Sequence, residues 1–363
     1  MSTIVDVARR AGVSVSTVSH VVNRTRRVNA DTAQLVEEAI AFVGFRPNAL
    51  ARSLKRASTD SVGIAISVIS NPYFSDIVCA IEAECARLGL MVFLSDTQDE
   101  SGRELKVVQA LHQRRVDGII LAPSADPERR AIKYLDENRI PFVLVDRLAS
   151  ARFDQVGVQN KSAMQLLVQH LAAHGHQRIA FVAGPSGFST ARERTGGYKA
   201  ALRASGIAYD QALLVAASAS TQTAAAATRK LFELARPPTA IATGNNLATI
   251  GVMHALRELG LRVPDDVALA GFDDFEWADY FEPRLTVVAQ PCQEIGREAA
   301  SLLIERITKP DGKRRTIRLK PRLVVRTSCG CPGRHDAAGA SEHAPNRGRL
   351  APDLAANPTG TRQ

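Results

Sequence analysis

The chain reads as an α/β protein: a three-helix, helix-turn-helix unit at the amino terminus, followed by two doubly wound α/β lobes. Three observations predict this. Three short amphipathic stretches with cap residues between them lie ahead of Phe45; from Ser61 short apolar runs alternate with amphipathic helices; and that alternation starts again near Arg178. Such alternation means parallel sheet, because parallel strands need a crossover, usually helical, between them.

In the first stretch Thr3 can cap the orphan amides and Asp6 follows three residues on, while Ile4, Val7, Ala8 and Ala11 share one face. Gly12 ends it. Ser14 caps a second helix whose Val18, Val21 and Val22 pack inward, which leaves Val15, Ser16, Thr17, Ser19 and His20 pointing out. Small polar residues of this kind can enter a DNA major groove, roughly 12 Å wide, where hydroxyls and an imidazole reach base edges. A third helix over about Asn29 to Gly44 sets Val36, Ala39, Ile40 and Val43 at helical spacing and completes a small core. Phe45 and Pro47 close the unit. The basic segment from Asn48 to Arg56 is too short to hold a helix alone, since isolated helices below about 12 residues are marginal in water. Leu50 and Leu54 lie four apart, flanked by Arg52, Lys55 and Arg56, which suits a helix that forms on DNA and pries open a minor groove. This order of parts predicts a DNA reader, with Thr3, Ser14, Val15, Ser16, Thr17, Ser19, His20, Asn23, Asn48, Ala51, Leu54 and Lys55 as candidate contacts.

In the first lobe strands are expected at Val62–Val68, Met91–Ser95, Gly118–Leu121, Phe142–Asp146 and Gln155–Val158, with helices ending near Gly89, Arg114 and Asn138. The second series places strands at Arg178–Ala183, Leu213–Ala216, Thr239–Thr243 and Val267–Gly271, with helices led by Lys161, Ala191, Gln222 and Asn246. The expected boundaries are 1–46 for the helical unit, 47–58 for the hinge and 59–330 for the lobes, with a disordered tail over 331–363. Lobe 1 takes about 59–158 plus 290–318, and lobe 2 about 159–289 plus 319–330. Strand-end loops of the two lobes should face one another across a cleft.

Composition is that of ordinary globular material: 363 residues, 45% hydrophobic and 23% charged, with net charge +9. Both ends are basic. Through Asp60 there are nine Lys or Arg against five Asp or Glu, and from Lys309 onward twelve against four, so the middle is mildly acidic. A basic amino-terminal unit fits phosphate contacts, whereas solvated charge is the usual meaning of a run like the second. No apolar run is long enough to span a membrane and no export signal leads the chain, so a cytoplasmic protein with no membrane partner is expected. Five scattered cysteines argue for reduced thiols.

Thr3-Ile-Val-Asp-Val-Ala8, Ala11-Gly-Val-Ser14, Thr17-Val-Ser19, Val22-Asn23 and Arg46-Pro-Asn-Ala-Leu-Ala-Arg-Ser-Leu54 resemble the headpiece and hinge of the lactose/galactose-repressor family. The likeness extends over about Thr3 to Ser328 and implies a transcriptional repressor with a sensor of periplasmic-binding-protein type. It implies base reading by Val15, Ser16 and His20, and a wedge role for Leu54. Many members carry Arg where this chain has His20, and a neutral imidazole cannot form the bidentate guanine contact of a guanidinium.

Residues at the carboxyl ends of expected strands should line the effector cleft: Asn71, Tyr73, Phe74, Asp146, Arg147, Phe188, Thr190, Arg194, Asn245, Asn246 and Asp273, joined by Ser189. The resemblance singles out Arg194 and Asp273 as effector contacts. Asp146 suits a structural strand cap equally, Tyr73 and Phe74 core aromatics, and Asn245 a helix cap. Near Ser218 and Ala219 several relatives supply a stacking aromatic that this chain lacks; Phe188 is the candidate substitute. Gln159-Asn160 replaces the more usual Asp-Asn. A sugar, sugar acid or similar polar metabolite is the favoured effector, a purine base the second. Trp277, four residues after Asp273, is expected near the cleft.

Catalysis finds no motif: no phosphate loop, no Gly-x-Ser-x-Gly elbow, no His-Glu-x-x-His. Cys329-Gly-Cys331 offers two ligands where structural zinc takes four, so no metal and no cofactor are expected, and His174-Gly-His176 reads as a turn. The tail holds Pro345, Pro352 and Pro358 and no heptad, which removes a coiled coil and leaves a homodimer reading a palindromic operator as the expected unit. Two rivals stand beside this reading: a solute-binding protein, which should carry an export signal and no headpiece, and an enzyme, which needs a catalytic group in the cleft.

Overall fold

The computed structural model describes residues 2–23, 26–45, 58–217 and 220–331. The hinge residues Asn48, Ala51, Leu54 and Lys55 expected to contact DNA, the aromatic gap at Ser218 and Ala219, and the tail beyond Cys331 lie outside the described residues.

Helices α1 (Ile4–Ala11), α2 (Val15–Asn23) and α3 (Ala30–Val43) form the amino-terminal unit. A capping box starts α1: Asp6 N donates to Thr3 Oγ1 (3.3 Å) and Thr3 N to Asp6 Oδ2 (2.9 Å). Gly12 ends it with φ +66°. Ser14 Oγ accepts from Thr17 N (3.1 Å) and so starts α2. Val7, Val18 and Val36, one from each helix, are fully buried together.

The rest builds two six-stranded sheets of the same topology. Sheet A orders β11-β5-β4-β3-β1-β2, with β1 (Ser61–Ile66), β2 (Met91–Asp96), β3 (Gly118–Leu121), β4 (Phe142–Val145), β5 (Asp154–Val158) and β11 (Thr316–Leu319). Sheet B orders β12-β10-β9-β8-β6-β7, with β6 (Ile179–Ala183), β7 (Leu214–Ala216), β8 (Ala240–Thr243), β9 (Ala268–Phe272), β10 (Thr286–Ala289) and β12 (Arg322–Val324). Pairing is parallel except between β10 and β12. The central strands are buried on both faces, hence their unbroken apolar runs.

Around lobe 1 lie α4 (Pro72–Arg87), α5 (Ser101–Gln113) and α6 (Arg130–Glu137); around lobe 2 lie α7 (Asn160–Ala173), α8 (Ser189–Ala204), α9 (Thr221–Phe232) and α10 (Asn246–Glu258). Helix α11 (Cys292–Thr308) packs on α4 and on β3 to β5. The chain thus crosses between sheets three times, after β5, after β10 and after β11. Elements over 286–324 received no reading from sequence. Strands β11 and β12 are only four and three residues long and each carries an arginine, so they look like surface chain. The basic run is in part internally neutralised rather than solvated. Within it Arg314 lies 3.7 Å from buried Asp154, which also pairs with Arg306 just ahead of the run (2.7 Å), Arg318 pairs with Glu193 (2.9 Å) and Arg326 with Asp274 (3.0 Å).

Where the lobes begin, Asp117 holds the entering chain: its carboxylate accepts from Ser58 Oγ (2.7 Å) and Thr59 N (2.8 Å).

Candidate functional site

Two surfaces carry the sequence-predicted residues. On α2, Val15 is 43% exposed, Ser14 and Ser16 are exposed, and Thr17, Ser19, His20 and Asn23 are half-buried. The helix thus presents a short polar face while Val18 anchors it from behind. Thr3 serves its own helix, its hydroxyl donating to Asp6 Oδ2 (2.7 Å), and Ser14 Oγ is likewise engaged with Ser16 and Thr17 hydroxyls. Asn23 Nδ2 donates to the Ser19 carbonyl (2.8 Å) at the helix end. Val15, Ser16 and His20 are the side chains this frame holds outward or at the rim.

The second surface is the cleft between the lobes. Asn71, Tyr73, Phe74, Asp146, Arg147, Phe188, Thr190, Arg194, Asn245 and Asp273 all line it. Asn246 stands one step behind, its Nδ2 donating to Asn71 Oδ1 (2.7 Å) from one lobe to the other. The local reasons are legible. Asn71 caps α4, accepting from Tyr73 N (3.1 Å), and Asn245 caps α10, accepting from Ala248 N (2.8 Å), so each is both cap and cleft wall. Tyr73 and Phe74 belong at once to the lobe 1 core and to the cleft.

Arg194 is locked from three sides: Nε donates to Asn160 Oδ1 (2.8 Å), one terminal nitrogen donates to the Gly244 carbonyl (2.6 Å), and the guanidinium lies 3.7 Å over the Phe272 ring. Asp273 accepts from Gln290 Nε2 (2.6 Å) and is reached by Asn246 N (3.4 Å). Burial raises its carboxyl above the usual range, and the Arg194 charge and the Gln290 bond offset only part of that. Asp146 accepts from Tyr73 Oη (2.9 Å), and burial and that neighbouring carboxylate push the phenol well up. Arg147 pairs with Asp99, donates to the Pro123 carbonyl (3.1 Å) and lies 3.9 Å over Phe188. One face of Phe188 is therefore already taken by a cation from the other lobe.

Several residues of this site went unread in the sequence. Ser67, Asp99 and Gln290 line the cleft, and Asn160 orients Arg194. Only the Asn160 position carried a signal, as the retained half of Gln159-Asn160. Three of the buried side-chain atoms without a hydrogen-bond partner among the described residues lie here: Ser67 Oγ, Gln290 Oε1 and Arg147 Nε, the last held by an ion pair with Asp146 Oδ2 (3.4 Å). Leaving such atoms unmet costs about 1–3 kcal/mol each, so a ligand offering both donors and acceptors gains by meeting them.

One expectation is corrected. Trp277 does not line the cleft; it is 44% exposed and packs on Phe275 and Phe281, because the chain after Asp273 turns outward into a short 3-10 helix. The turn expected at His174-Gly-His176 is present: His174 and Gly175 form it directly after α7, and His174 Nε2 lies 2.9 Å from Cys331 Sγ. No helix among the described residues is long and apolar enough to cross a membrane.

Comparison with known proteins agrees with this architecture. Residues 3–48 match the family described as "Bacterial regulatory proteins, lacI family", and residues 168–329 match "Periplasmic binding protein-like domain". The "HTH-type transcriptional repressor PurR" of Vibrio atlanticus (strain LGP32) is 34% identical over 330 residues, covering 90% of this chain and 98% of that protein. The "Ribose operon repressor" of Escherichia coli (strain K12) is 36% identical over 332 residues, covering 90% and 100%. Among solved structures, the Lac repressor dimer bound to operator and the anti-inducer ONPF matches with TM-score 0.81 at 30% identity, covering 90% of this chain and 99% of that one. The regulator CelR in complex with cellobiose matches with TM-score 0.70 at 30% identity, covering 90% and 100%. The chain belongs to the lacI family of bacterial regulatory proteins, DNA-binding transcriptional repressors.

Proposed function

We propose that this chain is a cytoplasmic homodimeric repressor that reads a palindromic operator with α2 and the segment 47–58, and that a small polar metabolite in the cleft sets its operator affinity. The observation that carries the effector reading is the cleft itself. Arg194 and Asp273 stand in a wall where Ser67 Oγ and Gln290 Oε1 lack hydrogen-bond partners and Arg147 Nε has only its ion pair with Asp146. Vicinal hydroxyls, each both donor and acceptor, satisfy such a mixed set; a sugar or sugar derivative is therefore favoured over a purine base, which has fewer groups for it. A relative named for the ribose operon and a solved neighbour in complex with cellobiose support the sugar class.

Coupling follows from linkage. Effector bound between the lobes changes their relation, and through Ser58, Thr59 and Asp117 that change reaches the point where segment 47–58 joins lobe 1. A coupling of about 1–3 kcal/mol alters operator occupancy several-fold to a hundredfold. The cleft is assigned binding and no reaction: Asp146, Arg194 and Asp273 all act in hydrogen bonds or as fixed charges. A thermal-shift screen of pentoses, hexoses, their acids and purine bases, followed by operator-release measurements, tests this reading. A stabilising ligand that is recovered unchanged and shifts operator affinity is expected; ligands that stabilise without any effect on DNA binding speak against it. Leu54→Ala, outside the described residues, should weaken specific operator binding while sparing effector affinity.

A further inference from the structure

Lobe 2 holds a second group of ligating side chains, about 15 Å along α7 from the Asn160 that orients Arg194. His170 Nε2, Cys329 Sγ and Cys331 Sγ all lie within 4.8 Å of one another. The ring nitrogen is 3.3 Å from the first sulfur and 3.6 Å from the second. His174 Nε2 approaches Cys331 Sγ to 2.9 Å, with the two imidazole centroids 4.6 Å apart. Around a tetrahedral ion with bonds near 2.0–2.1 Å to nitrogen and 2.3 Å to sulfur, nitrogen and sulfur donors stand about 3.6 Å apart, the distance His170 Nε2 keeps from Cys331 Sγ; His174 Nε2, outside that group of three, must turn towards the other donors to complete the shell.

We propose that His170, His174, Cys329 and Cys331 form a tetrahedral Cys2His2 site for a zinc-class divalent cation that pins the carboxyl-terminal segment of lobe 2 to α7.

Outer contacts already orient the donors. His174 Nδ1 lies 2.8 Å from the His170 carbonyl, which can only accept, so that nitrogen carries the proton and Nε2 presents its lone pair to the cluster. Thr286 Oγ1 donates to Cys329 Sγ (3.1 Å), a bond that favours the thiolate a metal needs. Gly330, at φ +88°, turns the chain between the two cysteines so that both sulfurs face α7. Cys329 is buried, Cys331 half-buried and His174 exposed, which leaves an ion a way in from the surface. Thiolate with imidazole selects zinc over magnesium or calcium. The clip would join residues 159 positions apart, closing a long stretch of chain at its weakest end. Sequence spacing hides the site because two ligands come from one helical turn and two from the far end of the lobe.

Cobalt(II) binding to the reduced, chelator-stripped full chain tests this. One cobalt per chain is expected, with the intense visible bands of a tetrahedral ion and thiolate charge-transfer absorption, both displaced by zinc. His174→Ala and Cys331→Ser, at sites open to solvent, should each lower metal affinity at least about tenfold. Both should melt like the stripped wild type without metal, whereas zinc should raise the wild-type melting temperature only. Pale octahedral spectra, uptake unchanged in both variants, or no uptake after reduction of a Cys329–Cys331 disulfide would overturn the proposal.

Discussion

Asp146 and Asp273 are counterparts in the two lobes: each follows the fourth strand of its sheet in chain order, each has positive φ (64° and 76°), and each donates its amide to the neighbouring strand (Val156 O, 2.9 Å; Val288 O, 3.0 Å). Both carboxylates then face the cleft. Left-handed backbone at a residue with a side chain costs energy, and Asp is among the few that adopt it readily, so duplicated lobes aim a matched pair of acids at one ligand.

Effector affinity should rise with pH through the acidic range. Burial holds the Asp273 carboxyl above its ordinary value of about 3.9, so the folded free protein binds a proton there that the unfolded chain has lost. That contribution to stability is present at low pH and lost as pH rises through the raised value. A ligand hydroxyl donating to the carboxylate favours the ionised form, so binding in this window releases a proton. Calorimetry in buffers of different ionisation enthalpy measures the release; buffer-independent enthalpy across the window contradicts the assignment.

Asn246→Ala removes the bond from lobe 2 to Asn71 but leaves Asn71 capping α4. The loss of one buried hydrogen bond, about 1 kcal/mol, should weaken effector binding several-fold with little change in melting temperature. Titration of the variant with the wild-type effector decides it, and unchanged affinity would mean the bridge plays no part in closure.

At the DNA surface, His20→Ala should reduce specific operator affinity by about 1–3 kcal/mol and leave non-specific binding and its salt slope alone. His20→Arg should move preference towards guanine at one position per half-site. Selection from random duplexes would reveal the shift; identical consensus sequences for both proteins would remove His20 from base reading.

Gly196 and Gly197, adjacent on α8, should answer alanine with opposite signs. A Cβ at Gly197 would lie 2.3 Å from the Lys161 carbonyl on α7, whereas one at Gly196 meets nothing within 4 Å. Overpacking should cost Gly197→Ala about 1–3 kcal/mol, and better helix propensity should stabilise Gly196→Ala by up to about 1 kcal/mol. Urea denaturation separates them, and equal midpoints would refute the close approach of α7 and α8.

Strand β2 is an edge of sheet A and exposes Met91 (64%), Phe93 (37%) and Leu94 (37%). An exposed apolar edge of this kind is the expected seat of a second copy. The double change Met91→Glu with Phe93→Glu should shift sedimentation from dimer to monomer and lower operator affinity in parallel; an unaltered dimer would place the interface elsewhere.

Much of the fold was legible. The Thr3–Asp6 box, Gly12, and the apolar runs that became β1 to β9 are readable because caps and periodicity act within a few residues. Of the cleft, residues just past apolar runs were readable by position, as with Asp146 and Asp273, while Arg194, inside α8, stood out through the family resemblance. Ser67, Asp99 and Gln290 carried no such mark, and Trp277 was misplaced because nearness in sequence does not survive a turn.

Local pattern alone thus determined the helical headpiece, the alternation that makes two lobes and the strand ends where a ligand sits. Tertiary structure decided which distant groups meet: Asn71 with Asn246, Arg194 with Asn160, and His170 with Cys329. The physical reason is topology, both the packing of helices within a lobe and the crossing of the chain between sheets, since contacts across 34 to 175 residues leave no trace in the spacing of neighbours.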